Sequence, residues 1–161
     1  MNDANTSIIQ IYTDGSCDTR HCIGAWIAII FWSDKKEILS GIETNTTHNK
    51  MELLAVVKAI ERVNEKYSNI RVRVFSDSQY VIQLPARKEK LESANFLSKK
   101  ETPIQNHELV KLFFEKLACN NVSFEKIAAH QKKSDIVNYN IEADLLVRKM
   151  VREQVRNLQS L

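Results

Sequence analysis

The spacing of apolar residues changes at Asn49, and this change restricts the fold more than any other feature of the chain. Before it, residues 8–13 and Gly24–Trp32 are rich in β-formers, and Lys36–Ile42 reads as a third strand joined by the polar turn SDKK. Three such runs with short connections predict an antiparallel meander. After it, Met51, Leu54, Ala55, Ala59 and Val63 fall at helical spacing, which predicts a helix over 50–66 with Thr47 as a candidate N-cap. "IRVRVFSD" then alternates strictly, with Ile70, Val72 and Val74 on one face, and "DSQYVIQ" begins another helix.

Residues 86–102 are polar and mixed in charge, which predicts an exposed segment. Glu108–Leu117 has helical spacing after Pro103, and "VSFEKIAAH" reads as a fifth strand. Residues 141–158 form a terminal helix with Ile141, Leu145, Met150, Val151 and Val155 as its apolar positions. The order is βββαβααβα, an α/β chain without repeats or linkers.

The length of 161 residues suits one domain, and 43% hydrophobic with 27% charged residues excludes disordered, fibrous and repeat classes. No run approaches the roughly 18 apolar residues of a membrane span, and the start lacks an export leader, so no membrane partner is expected. Cys17, Cys22 and Cys119 are an odd set, unlike a disulfide framework, which points to a reducing, cytoplasmic compartment. A net charge of +3 permits a nucleic-acid partner through local patches without demanding one. A chain that starts with methionine and ends soon after its last helix is expected to be free-standing rather than part of a larger polymerase, with a monomer as the default state.

Four acids stand at predicted element ends beside apolar residues. Asp14 in "TDGS" and Asp77 in "SDSQ" each follow a strand, Glu52 lies in the first turn of its helix, and Asp144 lies near the start of the last. Taken singly, each has a structural task as a turn residue, a helix cap or a partner for the helix dipole. Taken together they repel one another unless a multivalent cation neutralises them. Oxygen ligands without a Cys/His set suit Mg²⁺ or Mn²⁺, and two such ions about 4 Å apart suit phosphodiester hydrolysis.

The segments "YTDGSC", "THNKMELLAV", "FSDSQYV", "AAH" and "NIEADLLV", in this order and spacing, resemble type 1 ribonuclease H over roughly residues 8–152. The resemblance implies a ribonuclease H-like fold: a five-stranded mixed sheet, three antiparallel strands then two parallel, with helices on both faces. It implies one catalytic domain over residues 1–161, with its core at about 8–152. It also implies an endonuclease that cuts the RNA strand of RNA/DNA hybrids and leaves 5′-phosphate and 3′-hydroxyl ends. Residue by residue, it makes Asp14, Glu52, Asp77 and Asp144 the ligands of two Mg²⁺ ions, with Asp14 between them. His130 matches a loop histidine that assists proton movement or product departure.

Recognition in that family runs through the minor groove, where 2′-hydroxyls distinguish RNA from DNA. Cys17, Asn49 and Gln79 match groove or sugar contacts, and Thr47 with Asn106 matches a pocket for a DNA-strand phosphate. The chain departs from the pattern at three places. Arg20 and His48 each stand where the family commonly has an asparagine near the hybrid. The segment Gln83–Thr102 has the length of a basic protrusion but lacks its tryptophans, keeping Phe96 with Arg87, Lys88, Lys90, Lys99 and Lys100. The loop between His130 and Asp144 is longer than usual, while Asn140 keeps its place four residues before the final acid.

Rival readings have specific weaknesses. Cys17, His21 and Cys22 lack a second ligand pair for zinc, and the basic positions of the last helix fit a solvated face with internal charge pairs. A catalytically silent hybrid-binding module would not need all four acids. A nuclease of the same superfamily acting on another nucleic acid would keep them, but "NKMEL" and "DSQYV" favour ribonuclease H.

Overall fold

The computed structural model describes residues 7–128 and 139–160. β1 (Ile9–Asp18), β2 (Ile23–Phe31) and β3 (Lys36–Thr44) form the antiparallel meander. Then follow α1 (His48–Asn64), β4 (Arg71–Ser76), α2 (Gln79–Gln83), α3 (Lys88–Ser93), α4 (His107–Leu117), β5 (Asn121–Lys126) and α5 (Tyr139–Gln159). The five strands lie in the order β3-β2-β1-β4-β5, with β4 parallel to both β1 and β5. This is the ribonuclease H-like sheet that the resemblance implied.

Both sheet faces are covered, which explains why β2 is apolar almost without interruption: eight of its nine residues are buried. On one face Ile11, Ala28, Ile30, Val72 and Val74 pack with α1 and with Val110, Phe113 and Phe114 of α4. On the other, Ala25, Ile27 and Ile29 meet Ala143, Val147 and Val151 of α5. No helix among the described residues is long and apolar enough to cross a membrane.

Four local expectations need correction. β1 does not stop at residue 13; its pairing with β2 runs on through Asp14, Gly15 and Cys17 to Asp18. The 86–102 segment is not simply exposed: the turn Pro85–Arg87 leads into α3, Leu91 is buried, and Phe96 packs against the main core. α1 begins at His48, so Glu52 lies in its second turn and no acid occupies the first. On α5, Leu145 is 56% exposed, because the stripe facing the sheet is Ala143, Val147 and Val151.

Candidate active site

Sheet register delivers the first two acids. β1 and β4 pair in parallel from Ile9–Val72 to Tyr12–Phe75, so Asp14 and Asp77 each lie two residues past the last matched pair. Ligand sites in α/β sheets favour the carboxyl ends of such neighbouring strands. The third acid arrives through a close approach of helix to strand. A Cβ on Gly15 would stand 2.5 Å from Glu52 N and 2.7 Å from Met51 C, so only glycine lets α1 lie this close to β1. Thr47 caps α1 by accepting the Lys50 N–H at 3.2 Å, which fixes where the helix starts. Asp144 comes from α5, anchored on β1 and β2 by its own apolar stripe.

Oxygens of Asp14, Glu52 and Asp77 all lie within 4.8 Å of one another, and Asp144 lines the same cavity of about 450 Å³. Burial pushes the Asp14 carboxyl up to about 9, helped by the charges of Glu52, Asp77 and Asp144. Burial likewise drives Glu52 up to about 8, with Asp77 the strongest charge acting on it. Asp14 Oδ1 accepts the Gly15 N–H at 2.9 Å, while Asp14 Oδ2 and Glu52 Oε2 are buried without a hydrogen-bond partner. Neither oxygen can donate to the other unless one carries a proton. A cluster of oxygen donors, without Cys or His among the three, with two orphaned buried atoms, fits a hard divalent cation.

The capping tasks that each acid alone could have had do not account for them. Ser78, not Asp77, caps α2, its Oγ accepting the Val81 N–H at 3.3 Å. Asp144 lies one turn inside α5, where Arg148 Nε donates to its Oδ1 at 2.9 Å.

Of the other residues singled out in the sequence, His48, Asn49 and Gln79 line the cavity with the acids. Gln79 Oε1 accepts a hydrogen bond from Lys126 Nζ at the end of β5. Cys17 is half-buried, its thiol on the Thr46 carbonyl at 3.5 Å, and is not among the residues that line this cavity. Arg20 is exposed in the β1–β2 turn, which Asp18 closes by accepting from the His21 backbone N–H at 2.9 Å. Asn106 opens α4 with φ 58 and lines a separate surface cavity with Lys50, His107 and Lys111. His130 and the long loop after it lie outside the described residues. Sequence reading missed Arg148 and Lys126 as neighbours of the site; the four-residue spacing Asp144–Arg148 was the available signal for the first, and nothing local signalled the second.

Fold and acid cluster together define an enzyme of the ribonuclease H class. The sequence profile of the family described as RNase H matches residues 6–152. The chain is 31% identical over 154 residues to the "Ribonuclease H" of Thermoanaerobacter sp. (strain X514), covering 94% of this chain and 95% of the relative. It is also 31% identical over 155 residues to the "Ribonuclease H" of Bartonella bacilliformis, covering 96% of each. The chain belongs to the RNase H family. Among solved structures, it resembles a type 1 RNase H with the type 2 active-site motif at TM-score 0.77 and 20% identity, covering 95% of this chain and 76% of that one. A foamy viral protease-reverse transcriptase in complex with dsDNA matches at TM-score 0.67 and 16% identity, over 89% of this chain and 92% of that one.

Proposed function

We propose that the protein is an endonuclease that hydrolyses the RNA strand of RNA/DNA hybrids with two divalent cations, Mg²⁺ or Mn²⁺, and leaves 5′-phosphate and 3′-hydroxyl ends. The observation that carries this reading is the meeting of Asp14, Glu52 and Asp77 within 4.8 Å, with two of their oxygens buried and unpartnered. Asp14, Glu52, Asp77 and Asp144 would hold the cations. Bound there, such ions supply Lewis acidity toward the phosphodiester and make water a competent nucleophile at neutral pH. The chain's own part is placement: the Gly15 N–H fixes one oxygen of Asp14, and the β1–β4 register sets Asp14 level with Asp77.

Asn49 and Gln79, which line the cavity with the acids, would contact sugars or base edges in the minor groove, and His130 would assist proton movement. We assign residues 1–161 to one catalytic domain acting as a monomer, and place it in the cytoplasm, where three unpaired thiols are at home. The test is incubation with a labelled RNA/DNA hybrid beside double-stranded RNA and DNA, with and without Mg²⁺. Cleavage confined to the hybrid's RNA strand and dependent on the cation is the expected result. Equal cleavage of the other duplexes, or none of the hybrid, overturns the proposal.

A further inference from the structure

Asp14 and Asp77 are not the only groups that the sheet delivers to its carboxyl edge. The parallel pairing of β4 with β5 runs from Arg71–Asn121 to Ser76–Lys126, and the Ile127 N–H carries it on to the Ser76 carbonyl at 3.0 Å. Paired residues of parallel strands point to the same face, so Lys126 leaves the sheet on the side where Val72, Val74 and Ser76 are buried. α2 packs on that side through Val81. There Lys126 Nζ donates a hydrogen bond to Oε1 of Gln79, the first residue of α2 and one that lines the acid cavity.

The backbone of Gln79 is held from two sides. Ser76 Oγ accepts the Ser78 N–H at 3.1 Å, and Ser78 Oγ accepts the Val81 N–H at 3.3 Å, so two hydroxyls fix the turn from β4 into α2. What this leaves open is the amide at the tip of an exposed side chain. An amide can offer either its oxygen or its NH₂ group, and the two ends have opposite hydrogen-bonding sense. A lysine ammonium has three donors and no acceptor, so only the oxygen of Gln79 can face Lys126. The NH₂ group is the end left for a ligand in the cavity.

We propose that Lys126 is a positioning residue that sets the polarity of Gln79, making it a hydrogen-bond donor toward the minor groove of the hybrid. This inference rests on the hybrid-cleaving reading above. In the minor groove A·T and A·U pairs offer only acceptors, N3 and O2, in either orientation, whereas a G·C pair adds the guanine 2-amino donor. A ribose 2′-hydroxyl can accept as well. Held as a donor, Gln79 can use acceptors that do not depend on which strand carries the purine. Released from Lys126, the same amide can turn its oxygen outward and accept from guanine N2, which moves its preference toward G·C pairs.

The experiment measures the anisotropy of fluorescent RNA/DNA hybrids in EDTA with wild type, Lys126→Met, Lys126→Arg, Gln79→Ala and the double variant Lys126→Met with Gln79→Ala. One hybrid contains only A·T and A·U pairs and the other is rich in G·C. Lys126 is exposed, so its replacement leaves the core intact. On the first hybrid Lys126→Met should lose about 2- to 10-fold in affinity, the scale of one hydrogen bond. The double variant should bind no more weakly than Gln79→Ala alone, because Lys126 acts through that amide. Lys126→Arg, also a donor without an acceptor, should bind as wild type does. In Lys126→Met the ratio of affinities should move toward the G·C-rich hybrid. Losses that multiply in the double variant, with a salt slope lower by about 1, would show that Lys126 holds a phosphate by itself and overturn the positioning role. Unchanged affinity in Lys126→Met, or a loss with no change in base preference, overturns it too. A wild type that leaves the hybrid uncut in Mg²⁺ overturns the hybrid-cleaving reading itself, and the positioning role with it.

Discussion

Asp14→Asn should make the cation-free protein more stable, and by an amount that depends on pH in a defined way. In the unfolded chain this carboxyl ionises near its ordinary value of 3.8, whereas burial and the neighbouring acids hold it near 9 in the folded protein. At pH 7 without a cation, folding must therefore keep a proton on an acid that would otherwise release it. Just over three pH units correspond to about 4 kcal/mol, an upper figure because Glu52 shares the same repulsion. Asparagine keeps an acceptor for the Gly15 N–H and offers an amide donor to Glu52, so relief of about 2–4 kcal/mol is expected. For a domain of this size that raises Tm by about 5–15 °C.

The sign follows from linkage. Between about pH 4 and 9 the folded wild type binds more protons than the unfolded chain, so this contribution to stability falls as pH rises through that window. Thermal unfolding in EDTA across that range should show the two proteins melting together near pH 4, with the variant increasingly ahead above it. Millimolar Mg²⁺ should close the gap by stabilising the wild type alone. If Asp14→Asn melts at or below wild type at pH 8 in EDTA, or leads by a constant margin at every pH, the account of strain at this site is wrong.

Other perturbations test how the site is assembled. Gly15→Ala places a methyl 2.5 Å from Glu52 N, and because the obstacle is backbone, α1 must shift; stability in urea should fall by about 3 kcal/mol and cation affinity should fall with it. Unchanged values for both would show that the close approach is not needed. Thr47→Ala should cost about 1 kcal/mol through the lost N-cap, while Thr47→Ser should not, as read by chemical denaturation. Phe113→Ala, at the centre of the packing between α4 and the sheet, should cost about 3–5 kcal/mol without moving cation affinity.

What the sequence revealed and what it hid follow from one distinction: residue patterns report burial, not pairing. The alternation in β1 ends near Tyr12 because pairing with β4 ends there, while pairing with β2 continues to Asp18 in residues that need not alternate in polarity. That is why Asp14 looked like the end of a strand and proves to lie within one. α5 shows the same limit from the other side. A helical wheel favours the large Leu145, yet the sheet accepts the smaller Ala143 and Val147, which allow closer contact, and leaves Leu145 in solvent. α3 escaped notice because one apolar residue, Leu91, anchors a short helix that is otherwise polar.

The four acids were legible because helix and strand period placed them near one edge of the sheet, even though Asp14 lies within β1 and Glu52 in the second turn of α1, and their mutual repulsion made a common ligand the economical explanation. His48 could not be read this way. Its spacing from Glu52 was visible, but the same histidine could have faced a nucleic acid, solvent or the acid, and no property of the residue chooses among these. The close approach at Gly15, whose missing side chain lets α1 lie on β1, accompanies a buried Glu52 and an exposed His48 3.2 Å from it. Two residues four positions apart on one helix thus have unlike surroundings, a difference set by a backbone contact that no local pattern in the sequence records.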